Sequence, residues 1–231
     1  ELSLERYEQQ GHLKLATFRL AQPITLTDEV NKEYRAILEW IVRQYSIDIV
    51  HVRHLINHTF DIGYFVEEEA IPLVLSLHDG FFVCPTIQLI NNRNCFCEGV
   101  CNEDPEDCEL SRYWFDEKPR LKKQFIPVWR KRVLSLLEKS NSIVTTSAFA
   151  KAVYLKTYPS IDESKIKVIP HGRDYVEIDK LVPQLTSPVK IVIAGAIDEK
   201  KGLSTINRLA EVLPKEFAEL HLFGNCAGPL N

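Results

Sequence analysis

Residues 71–85 read IPLVLSLHDGFFVCP, an apolar run that ends on a histidine, an aspartate and a glycine. The part from Pro72 to Leu77 predicts a buried strand in a parallel sheet that is covered on both faces. In open parallel sheets, ligands bind beyond the carboxyl ends of the strands. His78 and Asp79, which follow this strand directly, are therefore the first candidates for a functional site.

Strands and helices alternate on both sides of this run. The further predicted strands are 12–20, 48–52, 142–146, 165–169, 189–194 and 218–223. The predicted helices begin near Thr27 and Asp28, near 60, near 120 (bent or started afresh at Pro127), at Ser147 and at Gly202. Strands separated by helices indicate parallel pairing with right-handed crossovers. The pattern predicts an α/β fold with a Rossmann-like doubly wound parallel sheet.

The alternation is interrupted twice. A long irregular stretch covers 78–117, and such loops inside compact domains are often functional. A polar stretch with Pro, Ser and Thr covers 182–188 and predicts a linker. We therefore expect one domain at 1–181 and the start of a second at 189–231. The second stretch is too short to bury an independent core, so we expect more of that domain downstream.

Composition narrows the function classes. The 231 residues include 28 Lys+Arg and 32 Asp+Glu, a formal net charge of -4. This balance gives no general reason to bind nucleic acid, so we expect no nucleic-acid partner. The sequence has no apolar run near the roughly 20 residues of a membrane span, and its start, ELSLERYEQQ, lacks the apolar core of a signal peptide. We expect a cytoplasmic protein.

Polar residues or glycines follow five of the predicted strands at the point where each ends: Arg53 and His54, His78 and Asp79, Ser147, His171 and Gly172, and Gly195. Because the carboxyl ends of parallel strands share one edge, we expect all of these residues to line one rim. A histidine followed by an aspartate suits a site that orients a hydroxyl and stabilises developing charge. The alternative is that His78 only ties the long loop to the backbone.

Five segments, in this order, resemble family 4 retaining glycosyltransferases of the GT-B fold: DIVHVRHL (48–55), IPLVLSLHDGFFVCP (71–85), SIVTTSAFAK (142–151), KVIPHGRD (167–174) and VIAGAIDEKKGL (192–203). The resemblance spans about residues 30–224. It implies transfer of a sugar from a nucleotide-sugar donor to a hydroxyl of a glycan or lipid-linked acceptor, in polysaccharide or surface glycan assembly. It also implies an active site between an acceptor-side domain, here 1–181 and incomplete at its N-terminus, and a truncated donor-side domain, here 189–231.

The resemblance assigns roles to single residues. His78 matches a histidine that contacts the transferred sugar, and Asp79 follows it where acceptor contacts are made, so both are expected to be catalytic. Arg53 and His54 match the acceptor-binding loop. The implied donor-binding residues are His171, Gly172, Asp174, Gly195 and Lys201. Gly195 permits close backbone approach, Lys201 supplies positive charge to the leaving group, and no cofactor is expected to be required for catalysis.

The sequence also departs from this family. Ala196 stands where the family usually has an arginine, although Lys200 beside Lys201 offers compensating charge. The glycine-rich loop of the first strand and the pair of donor-site glutamates are absent. We therefore expect this chain alone to be weakly active or inactive. The alternative is a non-catalytic module that keeps the GT-B scaffold and a structural metal loop to bind glycan or a partner protein.

A cysteine-rich loop at 84–110 contains four cysteines within fourteen residues: Cys95, Cys97, Cys101 and Cys108. Structural zinc takes four tetrahedral ligands, usually as two close pairs, but the first pair here is C-x-C. Zinc bound by these four cysteines, free thiols and disulfides stay open as alternatives, and a reducing cytoplasm disfavours disulfides.

A basic stretch with apolar residues between its charges covers 118–132. One interpretation is docking on an anionic bilayer at the inner face of a membrane, where lipid-linked acceptors reside. The other, which we favour, is a solvated helix face that packs over the core.

Overall fold

In the computed structural model, the described residues are 3–10, 13–26, 28–91, 93, 95–101, 121–172 and 187–228. The chain divides into two compact units, one formed by 1–92 with 96–171 and the other by 93–95 with 172–231. Most of the predicted linker at 182–188 lies outside the described residues, as do Cys108 and Asp174.

The first unit begins with an antiparallel hairpin, β1 (Ser3–Gln10) and β2 (Leu13–Arg19). Helix α1 (Lys32–Tyr45) follows, and the side chain of Asn31 accepts a hydrogen bond from the Tyr34 N–H at its start. The prediction that this helix begins near Thr27 and Asp28 is wrong. The Asp28 carboxylate instead accepts from the Thr25 N–H at 2.8 Å, so this residue closes a turn before the helix.

A four-stranded parallel sheet forms the centre of the first unit. Its strands are β3 (Val50–Val52), β4 (Leu73–Leu77), β5 (Ser142–Thr145) and β6 (Ile166–Val168), in the order β3-β4-β5-β6. The helices between them are α2 (Asp61–Glu68), α3 (Leu121–Lys139) and α4 (Ala148–Thr157). The Rossmann-like α/β prediction is confirmed. Helix α3 is one helix that includes Pro127, so a fresh start at that residue is wrong.

The sheet buries one face. Leu73, Leu75 and Leu77 point to the same side and have no solvent exposure, and each such leucine contributes about 1.5–3 kcal/mol. Val74 and Ser76, on the opposite side, are half-buried. In the described residues, the second face of this strand is therefore only partly covered, whereas the sequence predicts that both faces are covered. Every strand is followed by its neighbour in the same direction, and right-handed crossovers then place the connecting helices on one face.

The second unit contains a parallel pair, β7 (Val189–Ala194) and β8 (Ala218–Phe223), joined through helix α5 (Leu203–Val212). The predicted strand–helix–strand arrangement of this part is confirmed. Gly195 and Gly224, which follow the two strands, have φ values of 131° and 140°. A Cβ at Gly224 would lie 2.0 Å from the Gly195 carbonyl oxygen, so the two chain segments approach where only glycine fits.

Candidate active site

The carboxyl ends of β3 and β4 meet at one edge of the first sheet, because these strands pair in parallel with Val52 opposite Leu75. The structure brings together His54, which follows β3, and His78 and Asp79, which follow β4. The Nε2 atoms of the two histidines lie 3.3 Å and 3.5 Å from Oδ2 of Asp79, respectively. Arg53 is exposed at the same edge. The prediction of one rim therefore holds for His54, His78 and Asp79. It is wrong for Gly195, which follows a strand of the separate two-stranded sheet.

The Asp79 carboxylate is held on both oxygens. Oδ1 accepts a hydrogen bond from the Phe81 N–H at 2.9 Å, and Oδ2 faces the two imidazoles. Its side chain is 26% exposed, so the carboxylate is partly shielded from water but open to a ligand. Such an acceptor can orient a hydroxyl group and stabilise positive charge that develops beside it.

The hydrogen bonds around His54 define its tautomer. The Ile56 N–H donates to Nδ1 of His54 at 3.0 Å, so Nδ1 is the acceptor and Nε2 carries the proton that points to Asp79. The ring also packs on Phe81, with centroids 4.1 Å apart. Burial lowers the pKa of His54, the Asp79 carboxylate opposes this by raising it, and the nearby His78 lowers it further. A neutral His54 is therefore favoured.

His78 carries a buried polar atom with no partner. Its Nδ1 makes no hydrogen bond, and in the described part of the chain only Trp129 Nε1 shares this condition among buried side-chain nitrogens and oxygens. An unsatisfied buried polar atom costs about 1–3 kcal/mol, and such atoms in native structures are often explained by function. The histidine that the sequence singled out thus carries one of the two unsatisfied buried side-chain atoms in the described residues.

Helix α4 holds the loop that carries Asp79. The Tyr154 hydroxyl donates to the Asp79 carbonyl at 2.6 Å, and the Tyr158 hydroxyl donates to the Phe82 carbonyl at 2.5 Å. Burial raises the pKa of both phenols, so both remain protonated donors. Sequence reasoning missed these two residues. Their spacing of four on a predicted helix, which places them on one face, was the available signal.

The second unit contains the remaining predicted donor residues. The Gly195 N–H donates to the Phe223 carbonyl at 2.8 Å, and the Lys201 N–H donates to the Asp198 carboxylate at 2.9 Å. The Lys201 side chain is exposed at the end of a short 3-10 turn before α5. His171 and Gly172 are exposed at the boundary between the two units. The donor-binding roles of these residues, and of Asp174, stay predictions.

The cysteine loop is described only in part. In the ranges that the structure describes, no group of three or more His, Cys, Asp or Glu side chains could hold a metal ion. Cys95, Cys97 and Cys101 are therefore not gathered into a site by themselves, and Cys108 lies outside those ranges. A zinc site that uses all four cysteines stays a prediction.

The basic helix face makes internal contacts. Phe125, Ile126 and Trp129 of α3 are buried in the core. Arg130 donates to the Val83 carbonyl at 3.3 Å, and Arg132 pairs with Glu29 at 3.0 Å. These contacts agree with the packed-helix interpretation, and membrane docking stays a prediction.

Within the described residues, no helix combines the length and the apolar character needed to cross a bilayer.

The fold and this edge define the class of the first unit: a Rossmann-like domain with a histidine–aspartate cluster at the carboxyl ends of its strands. The family model described as Glycosyltransferase Family 4 matches residues 22–176. The chain belongs to glycosyltransferase family 4. The match includes His54, His78, Asp79 and His171 and ends before the second strand–helix–strand arrangement. A search of curated proteins found no match.

Proposed function

We propose that the protein is a retaining glycosyltransferase that moves a sugar from a nucleotide-sugar donor to an acceptor hydroxyl in polysaccharide or surface glycan assembly. The observation that supports this best is the cluster of His54, His78 and Asp79 at the edge of the sheet, within the residues matched to the family. The glycan or lipid-linked acceptor and the nucleotide-sugar donor are the partners that this function requires.

The proposed reaction breaks the bond between the anomeric carbon of the sugar and the diphosphate oxygen, and forms a bond from that carbon to the acceptor oxygen. The acceptor proton leaves with the released nucleoside diphosphate. Asp79 accepts a hydrogen bond from the acceptor hydroxyl, with Arg53 and His54 beside it, and His78 contacts the sugar. Positioning and stabilisation of charge supply the rate enhancement, so a protein nucleophile and a cofactor are not needed.

A positively charged side chain in the second unit is proposed to bind the diphosphate of the donor. Lys201 is an exposed cation, and Gly195 at the end of β7 lets the backbone approach a phosphate group closely. His171, Gly172 and Asp174 complete the proposed donor residues. Ala196 removes one cation that the family usually has, so we expect weak nucleotide binding by this chain.

A thermal-shift panel of nucleoside diphosphates and nucleotide-sugars on the full chain tests the proposal. A ligand that binds the folded chain raises its melting temperature, and the stabilisation grows with the logarithm of the ratio of ligand concentration to Kd. We expect at least one of the nucleotides to stabilise the chain. The effect should be lost in Lys201→Ala and retained in Lys215→Ala, which removes another exposed cation of the same unit. Stabilisation by none of the nucleotides would contradict the donor assignment.

A second candidate function is a non-catalytic module that binds glycan or a partner protein, which Ala196 favours. Binding of a glycan without any nucleotide effect, together with no sugar transfer, would support this module. Transfer of labelled sugar that is lost in Asp79→Asn would support the enzyme instead.

A further inference from the structure

A cavity of about 170 Å³ lies beside the loop that carries Asp79. Its wall is largely apolar and includes Val83, Ile87, Leu89, Phe96, Phe149 and Val153. Val83 and Leu89 also belong to the buried core, so part of the wall is formed by packed side chains. A concave apolar space with few polar groups is typical of a ligand pocket.

Two exposed aromatic rings stand at this cavity. Phe96 is 46% exposed and Phe149 is 66% exposed, and their ring centroids lie 5.9 Å apart. Phe96 is held by an antiparallel bridge to Ile90, and Phe149 lies in the first turn of α4 after the Ser147 cap. Large apolar rings that are exposed to solvent beside an apolar cavity indicate a binding surface.

The cavity shares residues with the candidate active site. Asp79 and Gly80 line it, and so does Tyr154, whose hydroxyl donates to the Asp79 carbonyl. The exposed side chain of Gln88 adds an amide at the same wall. A group that occupies the cavity therefore lies against the segment that positions the carboxylate.

We propose that this cavity binds an alkyl or aryl group of the acceptor, so that the acceptor is an amphipathic molecule with an apolar group attached to a hydroxyl-bearing head. The inference rests on the proposed transferase function. A sugar without an apolar substituent would lose hydrogen bonds to water when it enters the cavity, and the wall has few groups to replace them. This loss is energetically costly. An alkyl or aryl group gains from the same transfer, since burying apolar area is favourable.

Binding of octyl β-glucoside, below its micelle concentration, tests this against methyl β-glucoside, which has the same head. We expect the octyl compound to bind at least about tenfold more tightly by calorimetry, because several methylenes are buried. Ala150→Leu, which fills the cavity from α4, and Phe149→Ser should each weaken octyl binding about threefold or more. The affinity of phenyl β-glucoside, compared with that of the octyl compound, shows whether the cavity prefers an aryl or an alkyl group.

Phe217→Ser is the matched control, because Phe217 has the same 66% exposure in the second unit. It should leave octyl binding unchanged. Equal affinity for the octyl and methyl compounds, or equal loss in the control and in Phe149→Ser, overturns the proposal. Melting temperatures verify that each variant is folded. Nucleotide stabilisation that persists while octyl binding fails would remove this cavity but leave the transferase proposal standing.

Discussion

The Tyr154 hydroxyl donates a 2.6 Å hydrogen bond to the backbone carbonyl of Asp79. A side chain on α4 thereby fixes the main chain of the residue that faces both imidazoles. Because the phenol is buried and remains protonated, it acts as a permanent donor. The position of the Asp79 carboxylate thus depends on a helix that carries none of the cluster residues.

Tyr154→Phe should lower the free energy of unfolding by about 1–3 kcal/mol, because it removes the donor from a buried carbonyl. It should also loosen Asp79 and weaken its charge effect on His54, so that the pKa of His54 falls further. Denaturant unfolding measures the first effect, and an NMR titration of the imidazole measures the second.

Tyr158→Phe is the comparison for that variant, since it removes a similar buried bond to the Phe82 carbonyl from the same helix. It should cost similar stability but leave the His54 titration unchanged. Equal His54 shifts in both variants would show that Tyr154 has no particular role in positioning Asp79.

Gly80→Ala should destabilise the first unit by at least about 1–3 kcal/mol through overpacking. A Cβ at this position would lie 2.2 Å from the Ile87 carbonyl oxygen and 2.8 Å from Leu89 Cγ. Gly172→Ala is the control, because no heavy atom lies within 4 Å of its added Cβ. Chemical denaturation compares the two, and an equal midpoint for both would contradict the predicted clash.

The titration of His54 should make the protein less stable as the pH falls below about 6.5. The pKa of His54 in the folded chain lies below the ordinary value of 6.5. Between that folded-state pKa and 6.5, the unfolded chain therefore binds more protons than the folded chain. The free energy of unfolding therefore decreases as pH drops from about 6.5 through the folded pKa. His58 adds an effect of the same sign, since burial and then the nearby His54 lower its pKa.

His54→Asn tests this assignment, because its amide oxygen replaces the Nδ1 acceptor without a titrating group. The dependence of stability on pH below 6.5 should be shallower in this variant and shallower again with His58→Asn added. An unchanged dependence in the double variant would show that other groups cause it.

Ala196→Arg should tighten nucleoside diphosphate binding about fivefold or more, because a guanidinium forms charge-assisted hydrogen bonds with phosphate oxygens. Ala210→Arg adds the same charge to an exposed position of α5 and serves as the control. Calorimetric affinities measure the change. The same gain in both variants would indicate a nonspecific charge effect.

The strand before His78 and the closeness of the cluster residues could be predicted, because both follow from the local pattern of apolar and polar residues in the sequence. The apolar run before His78 predicts a buried strand, and the rule for parallel strands then places His54 near His78 and Asp79. The start of α1 could not be predicted so well, because Asp28 and Asn31 are both good capping residues and tertiary contacts choose between them. The Asn31 N–H donates to the carboxylate of Asp61, thirty residues away.

Contacts between distant elements account for the rest. Covering of the second face of β4 depends on which neighbouring elements pack there, and the apolar run alone cannot indicate this. The tyrosines of α4 reach a loop 75 and 76 residues earlier, and the partners of the Asp79 oxygens follow from how that loop folds back. Side-chain identity suggested a site, whereas the three-dimensional path of the loop determines its geometry.

The loop after β4 is shaped mainly by main-chain bonds, since the Gly80 carbonyl accepts from the Val83 and Cys84 amides and the Gly80 N–H donates to Ile87. Exposed side chains such as Gln88 and Phe96 can therefore change without moving the carboxylate. In such an arrangement, mutation and selection can alter the surface around the cluster while His54, His78 and Asp79 stay in place, and one scaffold can change what it binds step by step.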